Sequence, residues 1–186
     1  MSLILASKSP RRQALLARIT NGFTVIPSDA EEVDSGPPRE RVLASARAKS
    51  RAVGRTHTGI ILGADTLVVV DDHVMGKPSS RQEALGMLHA LSGRSHLVLT
   101  GLHLWNTERD VEREFCAETE VSFRAISDRE IKWYLDSGEY SGKAGAYAIQ
   151  GRAAVFIERI IGEYTNVMGL PLCELSRLLR EVGLTL

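Results

Sequence analysis

Over the first third of the chain, hydrophobic and polar residues follow each other in blocks that predict alternating strands and helices. Leu3 to Ala6 and Ile60 to Val70 are mostly apolar, which is typical of buried strands. Between them, the composition of Arg11 to Ile19 and of Arg39 to Val53 favours helices, and Phe23 to Pro27 is predicted to be a short strand. This alternation favours a sheet with helices packed on it.

Local signals mark where these helices begin and end. Ser9 can cap the first helix, and Pro10 suits its first position because the N–H that proline lacks would be unpaired there. Asn21-Gly22 is predicted to end that helix, and Gly54 to end the next one, because glycine and asparagine adopt the left-handed conformation that closes helices.

Two long strands in the second half predict a hairpin, so we expect a mixed sheet flanked by helices and not a purely parallel one. Asp71-Asp72 is predicted to turn the preceding strand back on itself. The other predicted elements are a helix over Ser80 to Leu91 that Gly93 closes, strands over Ser95 to Trp105 and Glu112 to Arg124, a helix opened by the capping box of Ser127 and Glu130 that ends at Asp136 before Gly138, strands over Ala146 to Ile149 and Val155 to Ile161, and a helix over Pro171 to Val182.

Length and charge limit the classes of protein that this chain can belong to. Residues 1–186 suffice for one domain, with one or two lobes. Lys plus Arg and Asp plus Glu both total 23, and this balance argues against a nucleic-acid or membrane-surface partner. The two cysteines cannot form a disulfide framework, and no segment reaches the ~20 apolar residues of a membrane span. We therefore expect a cytoplasmic protein.

The segment from Ser7 to Arg12 is the sharpest local signal for a phosphate site. It joins a strand to a helix, and the first turn of a helix presents unpaired N–H groups and the positive end of its dipole. The Ser7 hydroxyl and the guanidinium groups of Arg11 and Arg12 add further donors. The alternative is a capped helix whose arginines are merely solvated.

Carboxylates at two places are candidates for a metal or for acid-base chemistry. Asp65 lies inside an apolar strand, where a charged side chain requires a partner or a metal. The alternative for Asp65 is a hydrogen-bonded structural aspartate. Glu31 and Glu32 lie in a polar loop and could supply further metal ligands, or could simply be solvated.

Three lysines and one glutamine are weaker candidates for substrate contacts. Lys77 stands between Gly76 and Pro78, but no glycine-rich loop precedes it, and Lys49 on the second helix is by itself a solvated residue. Lys143 opens the segment KAGAYAIQG, whose small residues would let the backbone approach a ligand. The Gln150 amide in it could bind a base edge, although a tight packed turn is the alternative.

In this order, the segments SPRR, GADT, GKP, LSGR with His96, KAGAYAIQG and GLP resemble the Maf family of nucleotide pyrophosphatases over nearly the whole chain. The resemblance implies an elongated mixed α/β fold with two lobes and a central cleft, like that of the inosine triphosphate pyrophosphatases. It also implies hydrolysis of a nucleoside triphosphate between the α- and β-phosphates, using a divalent metal such as Mg²⁺, with Mn²⁺ and Co²⁺ as alternatives.

The same resemblance implies roles for individual residues. Asp65 takes the position of the catalytic acid or base, and Glu32 that of the metal-side glutamate, so both would hold the metal. Lys77 is also implied as a catalytic residue. The residues implied to contact the substrate are Ser7, Arg11, Arg12, Lys49, Thr66, Lys77, Lys143 and Gln150.

The KAGAYAIQG segment resembles the branch of the family that acts on dTTP and UTP, and modified pyrimidine nucleotides are included as substrates. Arg11, Thr66 and Gln150 match the positions linked to that choice, and Gln150 could pair with the base edge that thymine and uracil share. The alternatives are a 7-methyl-GTP pyrophosphatase, a phosphatase that releases phosphate stepwise, and a nucleic-acid-binding regulator of cell division. A homodimer is also expected.

Overall fold

A seven-stranded mixed sheet with helices around it makes up the fold of the computed structural model, which describes residues 2–185. The strands are β1 (Leu3–Leu5), β2 (Phe23–Val25), β3 (Ile60–Val70), β4 (His73–Met75), β5 (Ser95–Asn106), β6 (Val111–Phe123) and β7 (Ile157–Ile161). The helices are α1 (Pro10–Leu16), α2 (Pro38–Gly54), α3 (Arg81–Leu91), α4 (Asp128–Asp136), α5 (Tyr164–Met168) and α6 (Leu172–Glu181). Between residues 2 and 185, no helix has the length and apolar character needed to cross a membrane.

The order of strands in the sheet is β2-β1-β3-β5-β6-β7, and β4 pairs with β3 outside this path. Strand β1 is parallel to both β2 and β3, so that Leu5 pairs with Val25 on one side and with Leu62 on the other. The pairs β3·β4 and β6·β7 are antiparallel. The predicted mixed α/β sheet is therefore confirmed, and short parallel strands explain why β1 is wholly buried.

Strand β3 has the bounds predicted from its apolar run, Ile60–Val70, and almost every residue in it is buried. Asp71 and Asp72 follow with φ angles of 45° and 64°. Aspartate tolerates this left-handed conformation better than most residues, because its short polar side chain can bond to the local backbone. The predicted turn is confirmed, and it returns the chain as β4.

The chain divides into two compact units, each built from separate stretches of sequence. Unit 1 contains residues up to 66, residues 99–117 and residues from 165, and unit 2 contains residues 67–98 and 118–164. Part of the unit 1 core is a cluster of Ile4, Ala6, Val53 and Ile61, with Ile26 packed against it. The prediction of a single two-lobed domain over 1–186 stays a prediction.

Serine side chains cap two of the helices where the sequence predicts it. Ser9 accepts a hydrogen bond from the Arg12 N–H at 3.4 Å at the start of α1, and Pro10 is the first residue of that helix. At α4, the Ser127 side chain accepts from the backbone of Glu130, and the Glu130 side chain accepts from the backbone of Ser127. This reciprocal pairing satisfies two N–H groups that a helix start leaves unpaired.

The predicted end of the first helix is wrong, because α1 stops at Leu16 and not at Asn21-Gly22. After Leu16 the backbone continues in tighter turns, in which the Arg18 N–H donates to the Leu15 carbonyl at 3.1 Å. Bonds of this i to i+3 type commonly tighten a helix terminus before the chain leaves it. Gly54 is the last helical residue of α2, so that prediction is off by one position.

The strand predicted over Ala146 to Ile149 is also wrong. A 3₁₀ helix covers Ala144–Ala146, and Gly145 and Ala146 have φ angles of 67° and 60°, which no strand contains. A second 3₁₀ helix, Arg152–Phe156, occupies the start of the strand predicted from Val155, so β7 begins only at Ile157. Helix α5 is not predicted, since five residues are too few to show a helical period.

Unit 2 contains a buried aromatic cluster around His96. The His96 ring lies 5.1 Å from Phe123 and 5.4 Å from Tyr147, both in edge-to-face geometry. His96 Nε2 is 2.8 Å from the Tyr147 hydroxyl, whereas Nδ1 has no hydrogen-bond partner within residues 2–185. Burial lowers the pKa of His96 to about 4, so this histidine is neutral at neutral pH.

This shift predicts that acid destabilises the protein through His96. The folded pKa lies below the unfolded value of 6.5, so the unfolded state binds more protons between pH 6.5 and 4, and stability falls as pH drops through that window. Between pH 7 and pH 4.5, we expect the unfolding free energy of the wild type to fall by roughly 2–3 kcal/mol because of His96, and His96→Gln should lack this part of the fall. Urea unfolding at both pH values measures the two unfolding free energies.

Tyr147→Phe is the matched control for His96→Gln, because it removes the hydrogen bond to His96 and leaves the imidazole in place. We expect this variant to keep the wild-type dependence on pH. If His96→Gln lost as much stability as the wild type between the two pH values, the buried imidazole would not be the group responsible.

Candidate active site

Two glycines bring helix α2 into direct backbone contact with strands β3 and β5. A Cβ atom at Gly63 would lie 2.1 Å from the Ala46 carbonyl oxygen, and one at Gly101 would lie 2.4 Å from the Val42 carbonyl oxygen. Any side chain at these positions would push the helix away from the sheet. The close packing sets the height of α2, and therefore of Lys49 on it, above Asp65 on β3.

Lys49 lies between two carboxylates. Its Nζ is 2.7 Å from Asp65 Oδ1 and 2.8 Å from Glu32 Oε1. The side chains of Lys49 and Asp65 are only 11% and 8% exposed, whereas Glu32 is 49% exposed. A charged side chain inside an apolar strand requires a partner, and for the buried Asp65 carboxylate that partner is the Lys49 ammonium. Lys49 is not the solvated residue that its helix alone would favour.

The loop that carries Glu32 is tied to helix α2. The Val33 N–H donates to Ser45 Oγ at 2.8 Å, and Arg41 Nε donates to the Val33 carbonyl at 3.2 Å. Ser45 is fully buried. These bonds hold the residue next to Glu32, so the exposed carboxylate is presented to Lys49 by a fixed backbone.

Arg12 joins three segments of unit 1. Its Nε donates to the Gly169 carbonyl at 2.8 Å, Nη1 donates to Ser7 Oγ at 3.2 Å, and Nη2 donates to Thr66 Oγ1 at 3.0 Å. The φ angle of Gly169 is 108°, a conformation that side chains rarely adopt. Gly169 therefore lets its segment present a carbonyl group to the arginine.

A hydrogen-bond chain continues from Arg12 through two threonines. Thr66 Oγ1 is 3.0 Å from Thr100 Oγ1, and Thr100 Oγ1 donates to the Asn166 carbonyl at 3.2 Å. Because the single Thr100 hydroxyl proton goes to Asn166, Thr100 accepts the proton of Thr66. The Thr66 hydroxyl is left with acceptor capacity only, which constrains what a ligand could offer it.

Burial shifts the pKa of both arginines downward. Desolvation lowers the pKa of Arg12, while the charges of Asp65 and Glu32 act in the opposite direction, and desolvation alone lowers the pKa of Arg11. Guanidinium groups stay protonated in proteins despite such shifts. Arg11 is held less tightly than Arg12, through one bond from Nε to the Met168 carbonyl at 3.4 Å.

Unit 1 therefore brings together most of the predicted site residues, namely Ser7, Arg11, Arg12, Glu32, Lys49, Asp65 and Thr66. Lys77, Lys143 and Gln150 belong to unit 2. There, the Gly145 N–H donates to the Gly76 carbonyl at 3.1 Å, so the segments that contain Lys77 and Lys143 are neighbours. The roles of all these residues stay predictions.

The glycines around Gln150 pack closely against other residues of unit 2. A Cβ atom at Gly145 would lie 3.1 Å from the Val68 side chain, and one at Gly151 would lie 2.1 Å from Glu139 Oε2. The tight packed turn, which was the alternative for this segment, is thus what its glycines form. Gln150 itself is exposed, so its amide is accessible from solvent.

A divalent cation fits the carboxylate pair of Glu32 and Asp65 only in part. Oxygen atoms of both converge on one cation, the Lys49 ammonium, which shows that this point suits positive charge. Among residues 2–185, no three His, Cys, Asp or Glu side chains are grouped as metal ligands. Mg²⁺ is commonly held by one or two carboxylates with waters and phosphates, so this pair fits Mg²⁺ when a triphosphate supplies the other ligands.

A buried polar contact at Ser50, the residue next to Lys49, was not predicted from the sequence. Ser50 Oγ is 2.6 Å from His103 Nδ1, and His103 Nε2 is 3.4 Å from Glu112 Oε2. Burial lowers the pKa of His103. A histidine inside the apolar run of β5 is the same kind of signal that singled out Asp65 in β3. This contact fastens α2 next to Lys49.

Comparison with known proteins identifies the family of this chain. A family model described as Maf-like protein matches residues 2–182. A dTTP/UTP pyrophosphatase of Carboxydothermus hydrogenoformans is 47% identical over 98% of this chain and 100% of its own, and one of Thermococcus gammatolerans is 46% identical over 97% and 96%. A structure of the Staphylococcus aureus Ham1 protein is 14% identical, with a TM-score of 0.49 over 66% of this chain and 72% of that one. The chain therefore belongs to the Maf-like protein family.

Proposed function

We propose that this protein hydrolyses dTTP and UTP, and modified pyrimidine nucleotides of the same shape, to the monophosphate and pyrophosphate. The observation that supports the chemistry is the buried Asp65 carboxylate, which accepts a hydrogen bond from Lys49 beside Glu32. The negative charges of Asp65 and Glu32 also act on Arg12, where they oppose the lowering of its pKa. The substrate class is supported by the names of the relatives, which are dTTP/UTP pyrophosphatases at 47% and 46% identity.

Asp65 is the proposed general base. Its carboxylate accepts a proton as water attacks the α-phosphorus, the bond from that phosphorus to the oxygen bridging the α- and β-phosphates breaks, and pyrophosphate leaves. The Asp65 side chain is only 8% exposed on strand β3, so its carboxylate keeps a fixed position, and this is required of a base that must reach a single water molecule.

The cationic residues are proposed to stabilise the negative charge that moves onto the departing pyrophosphate. These residues are Arg11, Arg12, Lys49, Lys77 and Lys143. The Ser7 hydroxyl is proposed to contact a phosphate group, and Thr66 and Gln150 to contact the base. Glu32 and Asp65 would hold the divalent metal, which would supply charge neutralisation at the phosphates and polarise the attacking water.

A product analysis over a panel of nucleoside triphosphates tests the function. With Mg²⁺ present, we expect pyrophosphate and the monophosphate from dTTP and UTP, little product from purine triphosphates, and no stepwise release of phosphate. Gln150→Ala belongs in the same panel, because the amide is expected to select the base and not to perform the hydrolysis. That variant should lose base preference while retaining turnover.

Other outcomes of the panel separate the alternatives. Turnover of 7-methyl-GTP in place of dTTP would move the protein to another branch of the family, and orthophosphate as the first product would indicate a phosphatase. An unchanged base preference in Gln150→Ala would remove that residue from the base site. Absence of turnover, together with salt-sensitive binding to DNA or RNA, would favour the regulator. The homodimer and the cytoplasmic location stay predictions.

A further inference from the structure

The Lys49 ammonium occupies the point at which the Glu32 and Asp65 carboxylates converge. Its distances of 2.8 Å and 2.7 Å to their oxygens are those of charge-assisted hydrogen bonds. The pair of carboxylates that is proposed to hold a divalent metal thus already has a cation between its two members. An incoming metal ion would have to take the place of that ammonium group.

Electrostatics keep the two cations from sharing this position. With Lys49 in place, the two carboxylates and the ammonium leave a single net negative charge. The charge of Arg12 interacts with both carboxylates and adds a further positive charge. A divalent ion placed within about 4 Å of the ammonium would be strongly repelled at the dielectric constant typical of a protein site. The nucleotide-free protein therefore offers the metal little net attraction.

Lys49 has the chemistry to move when a triphosphate arrives. Its ammonium group is a compact point charge on a flexible stem, and it can donate hydrogen bonds to carboxylate and to phosphate oxygens. Helix α2 is fixed on the sheet by the Gly63 and Gly101 contacts, so the side chain can turn without moving the backbone. A triphosphate would supply a new acceptor for the ammonium group and further oxygen ligands for the metal in one step.

We propose that Lys49 is the resident counter-ion of the Glu32–Asp65 pair, which it closes to divalent metal until a nucleoside triphosphate draws its ammonium group away. Metal and nucleotide then bind together, and neither carboxylate is left unpaired before or after. This inference rests on the proposed function, since it takes Glu32 and Asp65 as the metal ligands and a triphosphate as the substrate.

A titration of the protein with Mn²⁺, in which free Mn²⁺ is followed by electron paramagnetic resonance, tests the proposal without reference to activity. In the absence of nucleotide, we expect Lys49→Met to bind Mn²⁺ at least about tenfold more tightly than the wild type, because the repelling charge is gone. Lys49→Arg keeps a cation between the carboxylates and should bind Mn²⁺ as weakly as the wild type.

Lys8→Met is the matched control, because Lys8 also pairs with a carboxylate, Asp29, but both side chains are largely exposed. It should leave Mn²⁺ binding unchanged. Equal Mn²⁺ affinity of the wild type and a folded Lys49→Met protein would overturn the proposal. If Lys49→Met does not fold, the wild type can be titrated with and without a non-hydrolysable dTTP analogue. We expect the analogue to tighten Mn²⁺ binding by about tenfold or more. No tightening would overturn the proposal.

The Mn²⁺ titration and the product analysis test the two proposals independently. Hydrolysis of dTTP without any effect of Lys49→Met on Mn²⁺ binding would overturn the counter-ion role of Lys49 and leave the proposed function unaffected. A gain in Mn²⁺ affinity of Lys49→Met, together with a wild type that hydrolyses no triphosphate, would support the counter-ion role of Lys49 and overturn the proposed function.

Discussion

Asp65→Asn is expected to lower turnover of dTTP by roughly 100- to 10,000-fold, the range that a positioned general base contributes. The amide cannot accept the proton of the attacking water, and it lacks the negative charge with which a carboxylate holds Mg²⁺. We expect the fold to survive, because the Lys49 ammonium keeps its bond to Glu32 and is not left as an unpaired buried charge. Pyrophosphate release and thermal unfolding measure the two effects.

Asp29→Asn is the control for this substitution, because it makes the same chemical change in a side chain that is 92% exposed and pairs with Lys8 at the surface. Its turnover should match that of the wild type. If Asp65→Asn folded and kept turnover within about tenfold of the wild type, Asp65 would not be the base, since such a residue contributes more than that.

Gly63→Ala is expected to destabilise the protein by about 3 kcal/mol or more, the upper end of the range for overpacking a core. The added Cβ would lie 2.1 Å from the Ala46 carbonyl oxygen, and a backbone atom cannot move aside as a flexible side chain can. Helix α2 must therefore lift from the sheet and take Lys49 with it. We expect turnover to fall together with stability, as measured by urea unfolding and by pyrophosphate release.

Gly86→Ala gives the opposite expectation for the same change. Gly86 lies within helix α3, and a Cβ atom added there would meet nothing within 4 Å. An alanine in a helix interior is more stable than glycine by about 0.5–1 kcal/mol, so this variant should unfold at higher urea concentration. Equal effects of the two substitutions would mean that α2 does not pack on the backbone of β3.

The sequence predicts those parts of the fold that depend on neighbouring residues. The capping box of Ser127 and Glu130 is confirmed, since both of its bonds form within one helical turn. The bounds of β3 are confirmed, since its apolar run is long and ends at a turn signal. The strand over Ala146 to Ile149 is wrong because apolar composition does not distinguish a strand from a buried turn with left-handed residues.

The arrangement of the site depends on contacts that local patterns do not contain. Asp65 is singled out by its sequence, because a carboxylate within an apolar strand needs a partner, but nothing in the sequence identifies that partner as Lys49. The pairing follows from the height at which Gly63 sets α2 on the sheet. In the same way, the bond from Arg12 to the Gly169 carbonyl joins residues that are 157 positions apart.

The division of the chain between the two units has a consequence for synthesis on the ribosome. Unit 2 ends at Tyr164, whereas unit 1 takes its last segment from the residues that follow. Arg12 is translated among the first residues, but the Gly169 carbonyl that accepts its Nε–H emerges 157 residues later. A nascent chain therefore holds Arg11 and Arg12 without the Met168 and Gly169 carbonyl groups. We expect nucleotide hydrolysis to begin only after the segment beyond residue 164 has been translated.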